Sequence, residues 1–464
     1  MKMYKCLYVC SFFCVALTVT SAGQSEVDSA RTYDYNRLIG HWVGAVEDGD
    51  KSPSIYITVK PIDDTLRAIV NFPITNFYNF QGTVGARNDS SARLGPFRFT
   101  PNENTDELNG ITRVGRNWQF PTRLRRGDPD KAPSSGTPPE PKRTGRPLWT
   151  FQTGGAIWGS PVLAGNLLYV ASVDSTIYCI NASAGEVIWR VQTDGPLVSY
   201  LTVVAVRLYA LSDDGLLYVL DAETGKNVWA FDTGGGTVVR AWPDDHRFDH
   251  AGSRATVDGD GVLIGSADGH VYSLDRETGI EHWRFKTEGI VRSRPVVSDG
   301  VVVFGSYDGY VYGIKRVDGS LLWKQRIRSP VISSAAVHSG LAIVGARDAT
   351  LHAFELKTGE SVWRHNYWAS WVESTPIVFQ DTLFIGSSDY QRALALDPKS
   401  GKEIWNFHTW GRPFGTPAPS GDYLFVSVLG NWQREAIPRL GKFYCLDRST
   451  GAEIWRYDFE PVEG

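Results

Sequence analysis

No linear catalytic motif is present in these 464 residues, so any chemistry must come from side chains gathered from distant parts of the chain. There is no Gly-x-Ser-x-Gly elbow, no His-Glu-x-x-His and no Gly-rich phosphate loop. His246 and His250, with Asp245 and Asp249 beside them, would share one face of a helix, a spacing that can hold a metal. Pro243 and the polar surroundings fit a solvated loop equally well, and the expectation is no metal. Two Trp-rich stretches are better binding candidates. They are Asn366-Tyr367-Trp368-Ala369-Ser370-Trp371 and Thr409-Trp410-Gly411-Arg412-Pro413-Phe414. Indole faces suit sugar rings, peptide segments or a flat cofactor, although burial in a core is the commoner fate of any single Trp.

What must position these residues is a repeat. Seven segments carry Gly with Trp four residues later: Gly185/Trp189, Gly225/Trp229, Gly279/Trp283, Gly319/Trp323, Gly359/Trp363, Gly401/Trp405 and Gly451/Trp455. Four residues before each Gly stands Asn181, Asp221, Asp275, Lys315, Glu355, Asp397 or Asp447. An Asp or Asn side chain starts a turn by accepting a backbone N–H, and Gly then takes the positive φ of a tight corner. Ahead of each corner lie further short strands, with Asp-Gly hairpin signals at 214–215, 268–269 and 308–309. Four strands in about 40 residues is a propeller blade. The expected fold is all-β: a seven-bladed β-propeller over 147–464. Trp149 is an eighth Trp without a preceding turn. Either its strand doubles the closing blade or a partial eighth blade exists.

The link from each Trp strand to the next blade should pass one mouth of the central channel. Equivalent positions there are Trp158, Val198, Val238, Arg292, Ile332, Glu373 and Phe414. Arg292 and Glu373 either pair and plug the channel or form a small polar site. With Trp368, Trp371, Trp410 and Arg412, and with Trp432 in the long seventh repeat, Trp158 and Phe414 would make an aromatic patch at that mouth.

The repeat resembles the pyrroloquinoline-quinone-type propeller motif Leu-Asp-x-x-Thr-Gly-x-x-x-Trp, which residues 220–229 and 274–283 match fully. The resemblance covers residues 149–459. It implies either a quinone-dependent dehydrogenase or a relative of the propeller subunit of the outer-membrane β-barrel assembly machine, which carries no quinone. Such dehydrogenases typically have eight blades, a longer chain and often a vicinal Cys pair, and this chain lacks the pair. No cofactor is therefore expected.

Residues 31–125 read as a separate small antiparallel β-barrel-like domain. Gly40-His41-Trp42 opens it, and it resembles the lipocalin-like domain of some exported hydrolases, with Trp42 expected beneath Arg123 or Arg125. Residues 126–146 form a Pro-rich spacer. At the N-terminus, Lys2 and Lys5 precede an apolar stretch from Cys6 to Thr20, and Thr20-Ser21-Ala22 offers small residues for cleavage. Residues 1–22 therefore read as a secretory signal, which places the chain in the periplasm or outside the cell. Removing the two lysines takes the formal charge from −4 to about −6. Nothing in that charge suits nucleic acid. Cys179 and Cys445 remain, at equivalent positions in different repeats. They read as two buried thiols, with a ring-closing disulfide as the alternative.

The function expected from these features is a non-catalytic binding scaffold, taking a protein or polysaccharide partner at the propeller mouth, with the periphery of a membrane as a further location. A carbohydrate-active or carbohydrate-binding protein is the main alternative, prompted by the Trp cluster.

Overall fold

The computed structural model describes residues 35–47, 53–62, 65–72, 77–86, 92–100, 106–114, 118–127, 140–141, 144–238, 252–368, 370–430 and 441–459. Residues 1–22, read above as a secretory signal, most of the Pro-rich spacer, the His246/His250 insertion and Trp432 lie outside them. Among the described residues no helix is long and apolar enough to cross a membrane. The chain divides into two compact units, a front barrel and a propeller.

The front unit is a closed barrel of eight antiparallel strands, in which the last strand, Trp118–Arg126, pairs back onto the first, Gly40–Val46. Strict alternation fills its interior. Phe120, Thr122 and Leu124 are buried on the last strand, while Gln119, Pro121, Arg123 and Arg125 face water. That alternation corrects the expected partner of Trp42. Arg123 and Arg125 have the outward parity, and Arg126, directly opposite Trp42 in register, lays its guanidinium 4.2 Å from the indole. Arg126 also donates to the carbonyls of Ile39 and Arg37, and Trp42 donates to Leu38 O at 2.8 Å. The short 3₁₀ turn Tyr35–Leu38 is thereby tied down at one end of the barrel.

The propeller has seven four-stranded antiparallel sheets, each built from one contiguous stretch: 162–192, 202–232, 256–286, 296–326, 336–366, 377–408 and 418–458. We number them blades 1 to 7. The second and third strands are mostly buried, as in Val301–Gly305 and Tyr310–Lys315 of blade 4, while Tyr423 and Ser427 in the second strand of blade 7 are exposed. Adjacent sheets share apolar clusters, such as Val303, Val311 and Trp323 with Ala342, Val344 and Phe354. The outer strands are half-exposed, with Trp pointing inward.

Each corner works as the sequence chemistry demands. Asp221 Oδ1 accepts from the Thr224 N–H at 2.9 Å and from its hydroxyl at 2.7 Å, while Gly225 takes φ of +71°. Asp275, Asp397 and Asp447 repeat the arrangement. Blade 4 has Lys315 in that place, and Asp318 caps the turn instead by accepting from Ser320 N–H at 2.9 Å. The corner glycines have a second role. A Cβ on Gly225, Gly279, Gly319, Gly359, Gly401 or Gly451 would lie 2.5–2.9 Å from the indole of the preceding blade's Trp. Each of those indoles donates to a carbonyl at the same corner, as Trp189 does to Ala222 O.

This docking settles the blade count at seven. Trp149 lies in no strand; it docks on the Gly185 corner and donates to Ala182 O at 2.9 Å. It fills the place that the last blade's Trp would take in an unbroken ring. Trp455 packs on Gly145 instead, while Thr144 bridges Arg456 in parallel and Gly145 N donates to Arg456 O. Residues 144–149 thus run along blade 7 and then cross to blade 1, lacing the seam where the ring closes.

The capping carboxylates predict acid sensitivity. Hydrogen bonds from Thr224, Thr278, Ser320, Ser400 and Ser449 hold Asp221, Asp275, Asp318, Asp397 and Asp447 below the ordinary carboxylate range. With native values depressed, the unfolded chain binds more protons as pH falls through about 4. The corner contribution is therefore intact above that pH and is lost as pH drops through the native values. The propeller melting temperature should be nearly flat from pH 7 to 5 and fall steeply from pH 4 to 3. A melt series without that fall contradicts the reading.

Candidate functional site

The links and the hairpin turns between second and third strands lie at one end of the propeller, bonded to each other. Asp213 N donates to Pro196 O, Tyr307 N to Ile290 O, and Arg347 N to Pro330 O. In blades 1 to 4 the turn is uniform. Its Asp takes the hydroxyl of the Tyr four residues on: Asp174 from Tyr178 at 2.7 Å, Asp214 from Tyr218 at 2.8 Å, Asp268 from Tyr272 at 2.5 Å and Asp308 from Tyr312 at 2.7 Å. Burial, together with the Asp268 carboxylate, pushes the Tyr272 phenol well up. These pairs close the turns and leave their carboxylates occupied.

Blades 5 and 6 break the pattern. His352 replaces the Tyr and meets Asp348 at 3.0 Å, with both side chains buried. The preceding residue, Arg347, turns onto Glu373 in the next link, and each side chain of that ion pair is only 4% exposed. The same guanidinium lies 4.4 Å from the Trp371 ring and 5.8 Å from that of Tyr307. In blade 6 the turn residue Asp389 pairs with Arg412 of the following link at 2.7 Å. Two ion pairs therefore run from turn to link on successive blades, holding the links against the turns.

The predicted binding residues divide by burial. Trp158 presents 37% of its surface. Trp371, Trp410 and Phe414 are half-buried, the Trp410 ring 4.3 Å from that of His408. Trp368 is 3% exposed and held at φ +48°, its N–H bonded to Asn366 Oδ1, so its ring belongs to the interior and not to a surface patch. Arg292 is also buried, lining a small pocket with Asp213, Thr233 and Ser266. Glu373 is engaged by Arg347, a partner the sequence reading did not select. Arg347, His352 and Asp389 could have been found by aligning the turns, since Gly345-Ala346-Arg347-Asp348-Ala349 departs from the Ser-x-Asp-Gly form.

Among the described residues no group of three or more His, Cys, Asp and Glu could hold a metal. Burial, then the nearby Arg392, pushes His408 down to about 3, so it is neutral throughout the physiological range. Cys179 and Cys445 are buried free thiols, which rules out the alternative of a ring-closing disulfide. Burial raises the Cys179 thiol to about 11 and keeps it unreactive.

No curated protein matches the chain. Among solved structures, BamB from Moraxella catarrhalis aligns at 17% identity with a TM-score of 0.50, covering 65% of this chain and 85% of that one. The designed protein Ika8 aligns at 17% identity and TM-score 0.55, over 66% and 88%. A quinohemoprotein alcohol dehydrogenase from Comamonas testosteroni aligns at 12% and 0.51, over 66% and 67%. At such identities these likenesses speak for the propeller fold alone. The profile of the family described as outer membrane protein assembly factor BamB matches residues 141–241 and 231–457, which is the whole propeller, and the chain belongs to that family.

Proposed function

We propose that this chain is a non-catalytic binding scaffold of the cell envelope, exported by its N-terminal apolar segment, which takes a protein partner at the link end of the propeller. The family match over the whole propeller carries the reading, since that family is described by its part in outer membrane protein assembly. The mouth supports it chemically. Trp158 is exposed, the half-buried Trp371 ring lies against the Arg347 guanidinium, and the half-buried Trp410 and Phe414 flank Arg412 in the sequence. Aromatic and Arg side chains in partly covered sites are the usual anchors of protein interfaces. The two turn-to-link ion pairs hold the links in place beforehand, which lowers the entropic cost of binding. A polysaccharide partner is the second reading, favoured by the exposed Trp158 ring, whose face can stack on a sugar.

Affinity capture from a cell-envelope extract, run beside a Trp158→Ala/Phe414→Ala chain, tests this. The wild-type chain should retain envelope protein, and the double variant should retain at least about tenfold less, as expected for loss of two anchors. Equal recovery by the variant would move the interface elsewhere. Retention of glycan without protein would favour the second reading.

A further inference from the structure

A different feature of the propeller lies where the chain enters the inner strand of each blade. Ser253 and Ser293 occupy one equivalent position in blades 3 and 4, and both are fully buried. Ser253 Oγ donates to Ser293 O at 3.1 Å, and Ser293 Oγ donates back into its own blade at Gly305 O. The residue that follows each of them therefore stands two before the inner strand, at the same level as its counterpart in the next blade. In blades 3 and 4 those residues are Arg254 and Arg294. The same step carries a hydroxyl in blades 2, 5 and 6, namely Tyr200, Ser334 and Thr375.

Hydrogen bonds link this level laterally from blade to blade. Arg294 N donates to Ser334 Oγ at 2.9 Å, and Ser334 N donates to Thr375 Oγ1 at 3.4 Å. Arg254 Nε donates to Thr202 Oγ1 at 3.2 Å. Among the described residues, no carboxylate pairs with either guanidinium. Arg294 Nε is buried without any hydrogen-bond partner. Burial, and then the charge of Arg254, pushes Arg294 down to about 10. Burial likewise lowers Arg254, and the neighbouring Tyr200 phenol is itself pushed up by burial and stays neutral.

Two desolvated like charges side by side are costly, and proteins normally supply a counter-charge. Two buried guanidiniums between turns and links do have one: Arg347 has Glu373, and Arg412 has Asp389. Arg254 instead donates to a hydroxyl, that of Thr202, and Arg294 Nε has no partner. Planar guanidinium donors combined with hydroxyl donors match an oxyanion with several acceptor oxygens. We propose that Arg254 and Arg294 form a binding site for a tetrahedral oxyanion, of the phosphate type, at the inner strands of blades 3 and 4. The site is built from other residues than the aromatic mouth, and the proposal does not depend on what binds there.

Inorganic phosphate is the probe, titrated into the full mature chain at constant ionic strength set with chloride. Saturable binding by calorimetry is expected, together with a rise of a few °C in the propeller melting temperature at saturation. Arg294→Gln and Arg254→Gln should each weaken binding by about tenfold or more. Without phosphate, Arg294→Gln should melt no lower than the wild type, because it removes an uncompensated charge. Absence of saturable binding by the wild-type chain overturns the proposal, and this arm stands even if a variant fails to fold. Equal binding by the variants overturns it too, and acetate matching phosphate would overturn the tetrahedral assignment.

Discussion

Trp323→Ala will cost the propeller about 3–5 kcal/mol, the range for deleting a large aromatic side chain from a core. Trp323 is 6% exposed and donates to Leu356 O at 2.9 Å. It lies across Gly313 of its own blade, where a Cβ would be 2.2 Å from the ring, and it docks on Gly359 of the next. Deleting it therefore empties space in two sheets and leaves a corner carbonyl without its donor. Gly359→Ala attacks the same contact from the other side. Its φ is +74°, and the new Cβ would fall 2.6 Å from the Trp323 ring. Strain and clash together should cost at least 1–3 kcal/mol. The double variant should be less destabilised than the sum, because the clash disappears with the ring. Urea midpoints of the propeller transition measure all three. Strict additivity would mean that corner and Trp are not one unit.

That unit is the part of the fold most legible in the sequence. A corner that needs positive φ accepts little except Gly, and the pocket beside it accepts a large ring, so both leave a residue type at a fixed spacing. Trp149 shows the limit of this reading. Its identity said that it docks, but only the seam geometry shows on which corner, and the eighth-blade alternative rested on that gap. Arg126 is not legible in the sequence for a different reason. Three arginines stand at 123, 125 and 126, and only register with the first strand decides which faces Trp42. The mouth was least legible. The links carry many aromatic and charged residues, yet Trp368 turns inward while Trp158 stays out, and no local pattern separates them. The ion pair of Arg347 with Glu373 joins residues 26 apart, one in the blade 5 turn and one in the following link, set by how the sheets are placed around the ring.

Arg347→Ala should be the most damaging single change at the mouth, by about 3–5 kcal/mol, because it leaves a buried carboxylate without its cation. Both side chains of the pair are 4% exposed, so water cannot easily take over. The loss should not be symmetrical with the value of the pair itself. Desolvating two charges consumes most of their attraction, and a Leu at both positions should recover much of the stability lost in either single variant. What the Leu pair should not restore is the environment of Trp371, whose ring now has the guanidinium 4.4 Å away. Thermal melts and Trp fluorescence of Arg347→Ala, Glu373→Leu and the double Leu variant separate these effects. If the double Leu chain melts as low as Arg347→Ala, the pair is not a matter of buried charge but of shape. If it recovers stability while partner capture stays weak, the ion pair serves to aim the link between blades 5 and 6, and stability is its lesser role.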